Sequence, residues 1–120
     1  METETANDWV LSLAKGERVR IPPPPTIADG MRTVEPGALT FPVVQRYVER
    51  CMTVTDDEVK AAMRFLLLRM KILVEPTGAV PFALLLSGRL GALSGQKVGV
   101  ILSGGNVDPA TLCEVLAEAV

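Results

Sequence analysis

Ser103-Gly104-Gly105-Asn106 is the stretch of this 120-residue sequence where side-chain and backbone chemistry concentrate. It follows Val98-Gly99-Val100-Ile101-Leu102, a short apolar run bounded by turn residues. That pattern predicts a strand buried on both faces of a parallel sheet. The paired glycines let a ligand approach the main chain closely. Asp108 is a good N-cap, Pro109 suits the first helical position, and Leu112, Val115 and Leu116 give one apolar face. The order is therefore strand, glycine turn, helix. In open α/β sheets such a turn lies at the carboxyl ends of the strands, where ligands bind, and Ser103 would aim its hydroxyl into that crevice. A connection whose glycines only make the corner has the same signature, so this motif alone leaves both readings open.

What the chain lacks narrows the chemistry further. It contains no histidine, which excludes Ser-His-Asp, Cys-His and histidine-ligated zinc sites within these residues. Cys51 and Cys113 lie far apart without metal-ligand spacing. They read as reduced thiols of a cytoplasmic protein, Cys113 on the apolar side of the last helix. Twelve Lys and Arg against fourteen Asp and Glu give a net charge of −2, so neither nucleic acid nor an anionic membrane is a favoured partner. The start, Met1-Glu2-Thr3-Glu4, is acidic and carries no apolar signal core. The longest apolar run, Ala79 to Leu86, contains Pro81 and is too short to span a bilayer.

The elements that must position Ser103 can be read in chain order. Asn7 is placed to cap a helix over Asp8 to Lys15, with Gly16 just past its end. Asp8 suits the first turn of that helix for the dipole alone. Pro22 to Pro25 forces a rigid extended strap. Ala28-Asp29-Gly30 and Pro36-Gly37 read as turns. Pro42 opens a helix to about Arg50 with Val43, Val44, Tyr47 and Val48 on its buried side, and Met52 to Val54 is a short strand. Thr55-Asp56-Asp57-Glu58 is a capping box. Its helix runs to about Ile72, with Val59, Ala62, Met63, Leu66, Leu67 and Met70 at the helical period and Lys60, Arg64, Arg69 and Lys71 solvated. A break at Glu75 to Ala79 precedes another apolar helix to about Leu86. Only about two strands are visible, too few for a stable parallel sheet, which points to a piece of a larger domain.

Five motifs then fall in one order: Pro-Pro-Thr-Ile-Ala-Asp-Gly (24–30), Val-Thr-Asp-Asp-Glu (54–58), Arg-Met-Lys (69–71), Val-Glu-Pro-Thr-Gly-Ala (74–79) and Val-Ile-Leu-Ser-Gly-Gly-Asn-Val-Asp (100–108). Over essentially the whole chain they resemble the C-terminal part of the pyridoxal-phosphate-dependent serine/threonine dehydratases and serine racemases. The resemblance implies an α/β fold, the C-terminal part of a tryptophan synthase β-like domain, with few parallel strands, packed helices and an incomplete sheet. It implies pyridoxal 5'-phosphate as cofactor, a small hydroxy-amino-acid substrate, and a homo-oligomer for the complete enzyme. Ser103 matches the serine that hydrogen-bonds the cofactor's pyridine nitrogen, with Gly104 beside it in the same cofactor turn. A neutral hydroxyl suits β-elimination, which asks only for a moderate electron sink. Gly30 matches the glycine whose backbone passes close to the cofactor. Glu75 matches the glutamate beside the cofactor ring, although a carboxylate at a helix start has a bland reading too. Glu2, Ala6 and Asp8 fall where racemase-like members bind a divalent cation through two carboxylates and a backbone carbonyl, oxygen chemistry that suits Mg²⁺ or Ca²⁺.

Departures from the pattern are equally informative. The family's catalytic lysine lies in a Ser-x-Lys segment, and Lys15, Lys60, Lys71 and Lys97 all lie in other contexts. The glycine loop that cradles the cofactor phosphate is absent, as is the strand expected before Glu2. The expectation is a C-terminal catalytic fragment that needs the missing N-terminal portion as partner, with no ACT-type regulatory domain after Val120. Two functions stay open: part of a hydroxy-amino-acid ammonia-lyase, inactive alone, or a non-catalytic interaction module or split-enzyme subunit that keeps the fold remnant.

Overall fold

The protein, described over residues 1–117 by a computed structural model, runs β1 (Glu2–Thr3), α1 (Asp8–Lys15), a 3-10 turn (Asp29–Met31), α2 (Phe41–Tyr47), β2 (Thr53–Val54), α3 (Asp56–Phe65), a π-helical turn (Leu66–Met70), α4 (Pro76–Leu86) and α5 (Pro109–Ala117). It is a mixed α/β arrangement. β1 and β2 pair in parallel, Glu2 opposite Thr53 and Thr3 opposite Val54. Glu2 and Thr3, which the sequence reading did not place in a strand, form this short ladder.

The two central helices start where the local chemistry dictates. Thr55 accepts the Glu58 amide at 3.1 Å and Glu58 returns the bond to the Thr55 amide at 2.8 Å, which closes the capping box. Val59, Ala62, Met63 and Leu66 then face Ala79, Val80, Ala83 and Leu84 of α4 in one buried core. The rings of Phe65 and Phe82 flank it at 5.6 Å. The helix read as continuous to Ile72 changes winding at Leu66, and Lys71 ends it at φ 62°. Thr26 ties the proline strap to α3, its hydroxyl donating to Asp56 Oδ1 at 2.6 Å.

Several faces differ from the sequence reading. α2 stops at Tyr47, and it buries Phe41, whereas Val43, Tyr47 and Val48 are exposed. Phe41 instead meets Trp9, ring centroids 6.1 Å apart, and takes the apolar contact that the valines were expected to make. Lys60 and Arg64 are not solvated spectators. Lys60 pairs with Glu114 at 2.9 Å and Arg64 donates to the Val115 carbonyl at 2.9 Å, so both hold α5 against α3. Cys113 is exposed, because Val115 is the α5 residue that reaches the core.

The largest departure is Val98–Leu102. Among the described residues it joins no sheet, and Ile101 is 78% exposed. A strand buried on both faces needs partner strands at its edges and a packed layer over each face, and among residues 1–117 no strand pairs with this run. The overall shape agrees: a slab of 42 × 38 × 20 Å, about two helix diameters deep. The accessible surface is 7448 Å² for 12.8 kDa, against about 6,300 Å² for a compact monomer of that mass. Among the described residues no helix is long and apolar enough to cross a membrane.

Candidate functional site

The Ser103 turn is seated on the start of α4. Glu75 is the N-cap residue of that helix, yet its carboxylate makes no cap bond. Its backbone amide donates to the Gly104 carbonyl at 3.0 Å, and its Oε2 accepts the Asn106 amide at 3.1 Å. The bland reading of Glu75 as a helix-start carboxylate therefore misses what it does, which is to grip the glycine turn. Two glycines make the fit possible. A methyl group on Gly104 would lie 2.5 Å from the Glu75 carboxyl carbon, and one on Gly78 would lie 2.8 Å from the Gly104 carbonyl oxygen. At Gly78 the clash is with backbone and no side chain fits, whereas a side chain at Gly104 would push the Glu75 carboxylate off the turn.

Gly30 joins the same neighbourhood from the other side. Its amide donates to the Thr77 hydroxyl at 3.0 Å and to Asp29 Oδ1 at 2.8 Å, and Thr77 stands two residues beyond Glu75. The structure thus links Glu75 and Gly104 directly, and Gly30 through Thr77. Ser103 is exposed, and its hydroxyl has no hydrogen-bond partner among the described residues. Behind the turn lies a cavity of about 270 Å³ lined by Asp29, Arg32, Lys60, Asn106 and Asp108, which includes neither Ser103 nor Gly30. Asp108 caps α5 as expected. The Thr111 hydroxyl at 2.6 Å and the Thr111 amide at 2.9 Å hold its carboxyl below the usual range.

Glu2, Ala6 and Asp8 lie together where β1 enters α1. All three are buried: Glu2 is 5% exposed, Ala6 0% and Asp8 1%. Asn7 occupies the cap position of α1 without a side-chain bond. Glu2 caps the helix instead, accepting the Trp9 amide on Oε1 at 3.0 Å and the Val10 amide on Oε2 at 2.9 Å. Gly16 closes the far end in the left-handed conformation expected of it, φ 78°. Burial pushes the Glu2 carboxyl up to about 7, against the pull of the Val10 and Trp9 amides, and the facing Asp8 adds to the rise. Burial likewise raises Asp8. Neither Asp8 oxygen has a hydrogen-bond donor. Two ionised carboxylates cannot bond each other, so the pair must share a proton or take a cation.

This end has the chemistry of an oxygen-ligand cation site. Among the described residues no three His, Cys, Asp or Glu side chains are arranged to hold a metal ion. Two carboxylates alone would leave the other positions to a backbone oxygen and water, which suits a hard cation. Sequence reasoning did not find the capping role of Glu2, the Thr77 link to Gly30, or Cys51, whose thiol donates to Glu2 Oε2 at 3.8 Å. Each is a tertiary contact between elements. Only Thr77, inside the Glu-Pro-Thr motif, carried a local signal.

The chain is 42% identical over 116 residues to the L-threonine ammonia-lyase of Geobacter sulfurreducens, covering 97% of this chain and 29% of that protein. It is 42% identical over 118 residues to the serine racemase of Schizosaccharomyces pombe, covering 98% and 36%. The structure of maize serine racemase superposes with a TM-score of 0.84 at 36% identity, over 98% of this chain and 37% of that one. The chain spans about a third of the length of the curated relatives it matches. Residues 1–104, from the carboxylate pair to the Ser103 turn, match the family described as pyridoxal-phosphate dependent enzyme, and the chain belongs to that family.

Proposed function

We propose that residues 1–120 are the C-terminal part of the catalytic domain of a cytoplasmic, pyridoxal-phosphate-dependent hydroxy-amino-acid ammonia-lyase. The observation that carries this reading is the seat of the glycine turn. Glu75 and Gly104 are bonded together while the neighbouring Ser103 hydroxyl is left exposed and unpartnered. A hydroxyl held at a fixed turn and lacking a protein partner is available to a ring nitrogen.

When bound, pyridoxal phosphate supplies the electron sink for loss of the α-proton and the β-hydroxyl of the substrate. The residues of this chain then divide the work. Ser103 would donate a hydrogen bond from a neutral hydroxyl to the pyridine nitrogen, which would keep the sink moderate. Gly104 keeps the turn free of a side chain, and Gly30 lets the backbone pass close to the ring. Glu75 holds the turn and walls one side of the site. The lysine and the phosphate loop come from the portion of the fold outside these residues, and the complete enzyme is a homo-oligomer. The relatives support serine, threonine or 3-hydroxyaspartate as the substrate class, and the net reaction yields a 2-oxo acid and ammonia.

Glu2 and Asp8, with the Ala6 carbonyl, would hold a Mg²⁺ or Ca²⁺ ion, which would neutralise the buried carboxylate pair. The ion would tie β1 to α1, the two elements that carry its carboxylates. The test joins this chain to the upstream two-thirds of the Geobacter ammonia-lyase and follows cofactor absorbance and 2-oxo acid from L-threonine and L-serine. A hybrid that folds and binds the cofactor yet releases no 2-oxo acid from either substrate would reject the lyase reading.

A further inference from the structure

We infer that Thr77 is the positioning residue that joins the two backbone walls of the cofactor site, the Gly30 turn and the Ser103 turn, into one unit. The inference rests on the cofactor reading above and adds what sets the spacing of those walls. Thr77 stands 47 residues along the chain from Gly30, yet its hydroxyl accepts the Gly30 amide at 3.0 Å. The same hydroxyl donates to Asp29 Oδ1 at 3.5 Å, and that oxygen also accepts the Gly30 amide at 2.8 Å. The three groups close a small ring. Because Asp29 accepts the hydroxyl proton, a lone pair of the Thr77 oxygen is turned toward the Gly30 amide.

The other half of the link is α4 itself. Thr77 lies in the first turn of that helix, two residues after Glu75. Glu75 holds the Ser103 turn through its amide, 3.0 Å from the Gly104 carbonyl, and through Oε2, which accepts the Asn106 amide at 3.1 Å. A helical turn has one backbone geometry, so a Gly30 fixed to Thr77 is fixed to Glu75 and to the Gly104 backbone as well. Asp29 cannot replace this link. Its bond to Gly30 joins neighbours in sequence and places neither of them relative to α4.

Shape adds to the bond. A methyl group on Gly30 would lie 3.0 Å from both Oγ1 and Cγ2 of Thr77, so the end of the Thr77 side chain bounds the space beside the Gly30 backbone. Two substitutions separate the contributions. Thr77→Val keeps the branched shape and removes the oxygen. Thr77→Ser keeps the oxygen and removes the methyl.

The experiment has two measurements. In the isotope-labelled chain, the Gly30 amide proton resonance should move upfield in Thr77→Val and stay near its parental position in Thr77→Ser. In the hybrid with the upstream portion of the Geobacter ammonia-lyase, pyridoxal phosphate is titrated by absorbance into the apo form of each variant, and the apo melting temperatures are recorded beside it. The expected result for Thr77→Val is a cofactor Kd raised about five- to tenfold, the worth of one hydrogen bond, with a displaced absorbance maximum and a parental apo melting temperature. Thr77→Ser should recover both the Kd and the absorbance. A Gly30 resonance that ignores Thr77→Val overturns the inference. So does a Thr77→Val hybrid with parental Kd and absorbance, a Thr77→Ser hybrid as weak as Thr77→Val, or a loss of affinity matched by a fall in apo melting temperature. A parent hybrid that binds no cofactor rejects the cofactor reading itself, and the Gly30 resonance still decides whether Thr77 holds that turn.

Discussion

Glu2 and Asp8 are 5% and 1% exposed between β1 and α1, while Ser103 is exposed at the end of a run that joins no sheet among the described residues. Both places sit where an extended segment hands over to a helix, yet they lack different things. The carboxylate pair is enclosed by its own neighbours and lacks charge balance, which a single ion or proton supplies. The Ser103 turn is held by Glu75, Gly78 and Gly104 and lacks surroundings, which only more protein supplies. A buried site declares its ligand through unpartnered atoms. A half-enclosed one declares it through geometry held rigid for no internal reason. The first can be tested on this chain alone, the second needs the rest of the fold.

The largest effect expected from that contrast is all or none. Incubated with pyridoxal phosphate and L-serine or L-threonine, residues 1–120 should form no 2-oxo acid above the rate of free cofactor. Lys15 is paired with Glu17, Lys60 with Glu114, and Lys71 donates to the Leu68 carbonyl, so three of the four lysines are engaged elsewhere. Turnover from a homogeneous preparation would mean that the turn is a complete site after all.

Next in size are the glycines. Gly78→Ala should cost about 2–3 kcal/mol, since its methyl would strike the Gly104 backbone and could not be accommodated by a rotamer change. Gly99→Ala, in the unpaired run, meets nothing within 4 Å and should be close to neutral. Chemical denaturation of both variants checks the pair. Equal losses would imply that Val98–Leu102 is packed in solution, and the contrast between the two regions would fail.

A smaller, opposite effect is expected at the buried end. Asp8→Asn replaces a partnerless carboxylate by an amide that can donate to Glu2. In chelator above pH 7, where the parent's pair can no longer keep its shared proton, the variant should be more stable by about 1–2 kcal/mol, because a buried like-charged pair has been relieved. It should lose the stabilisation that Mg²⁺ or Ca²⁺ gives the parent. Thermal melts of both proteins, with cation and with chelator, decide it. A variant that melts earlier in chelator would show that the Asp8 carboxylate has a donor in solution.

The same contrast separates what the sequence made legible from what it did not. Local signals were legible. The Thr55–Glu58 capping box, Gly16 after α1 and Asp108 before α5 depend on residues within one turn of each other and stand where expected, whereas α4 starts at Pro76, inside the stretch 75–79 that read as a break. Contacts between elements were not. Glu2 rather than Asn7 caps α1, because β1 delivers its carboxylate to the Trp9 and Val10 amides. Phe41 is buried in place of the α2 valines because Trp9 is there to meet it. Lys60 and Arg64 look solvated by helical period and are fixed by α5, a helix some 50 residues away. Val98–Leu102 has the composition of a central strand, and composition cannot reveal that its neighbours are absent from residues 1–117. At the candidate site, the motifs brought Ser103, Gly104, Glu75 and Gly30 forward, but the bonds joining the turn to α4 needed the fold.

The smallest effect on stability should come from Ser103→Ala, and that is what makes it informative. Its side chain is exposed and makes no hydrogen bond among the described residues, so removing the hydroxyl should change the melting free energy of this chain by less than about 0.5 kcal/mol. A corner residue that stabilised the turn through its hydroxyl would instead cost about 1 kcal/mol. In the hybrid with the upstream portion of a relative, the cofactor reading makes the opposite demand. Stability should again hold, while the cofactor absorbance shifts and the ammonia-lyase rate falls, because the ring nitrogen has lost its donor. Ser103→Thr restores a hydroxyl at the same atom and should recover the absorbance ahead of the rate, since the added methyl alters placement but not the bond. A Ser103→Ala hybrid that melts early but keeps parental absorbance and rate would reduce Ser103-Gly104-Gly105-Asn106 to a tight connection between a strand and a helix.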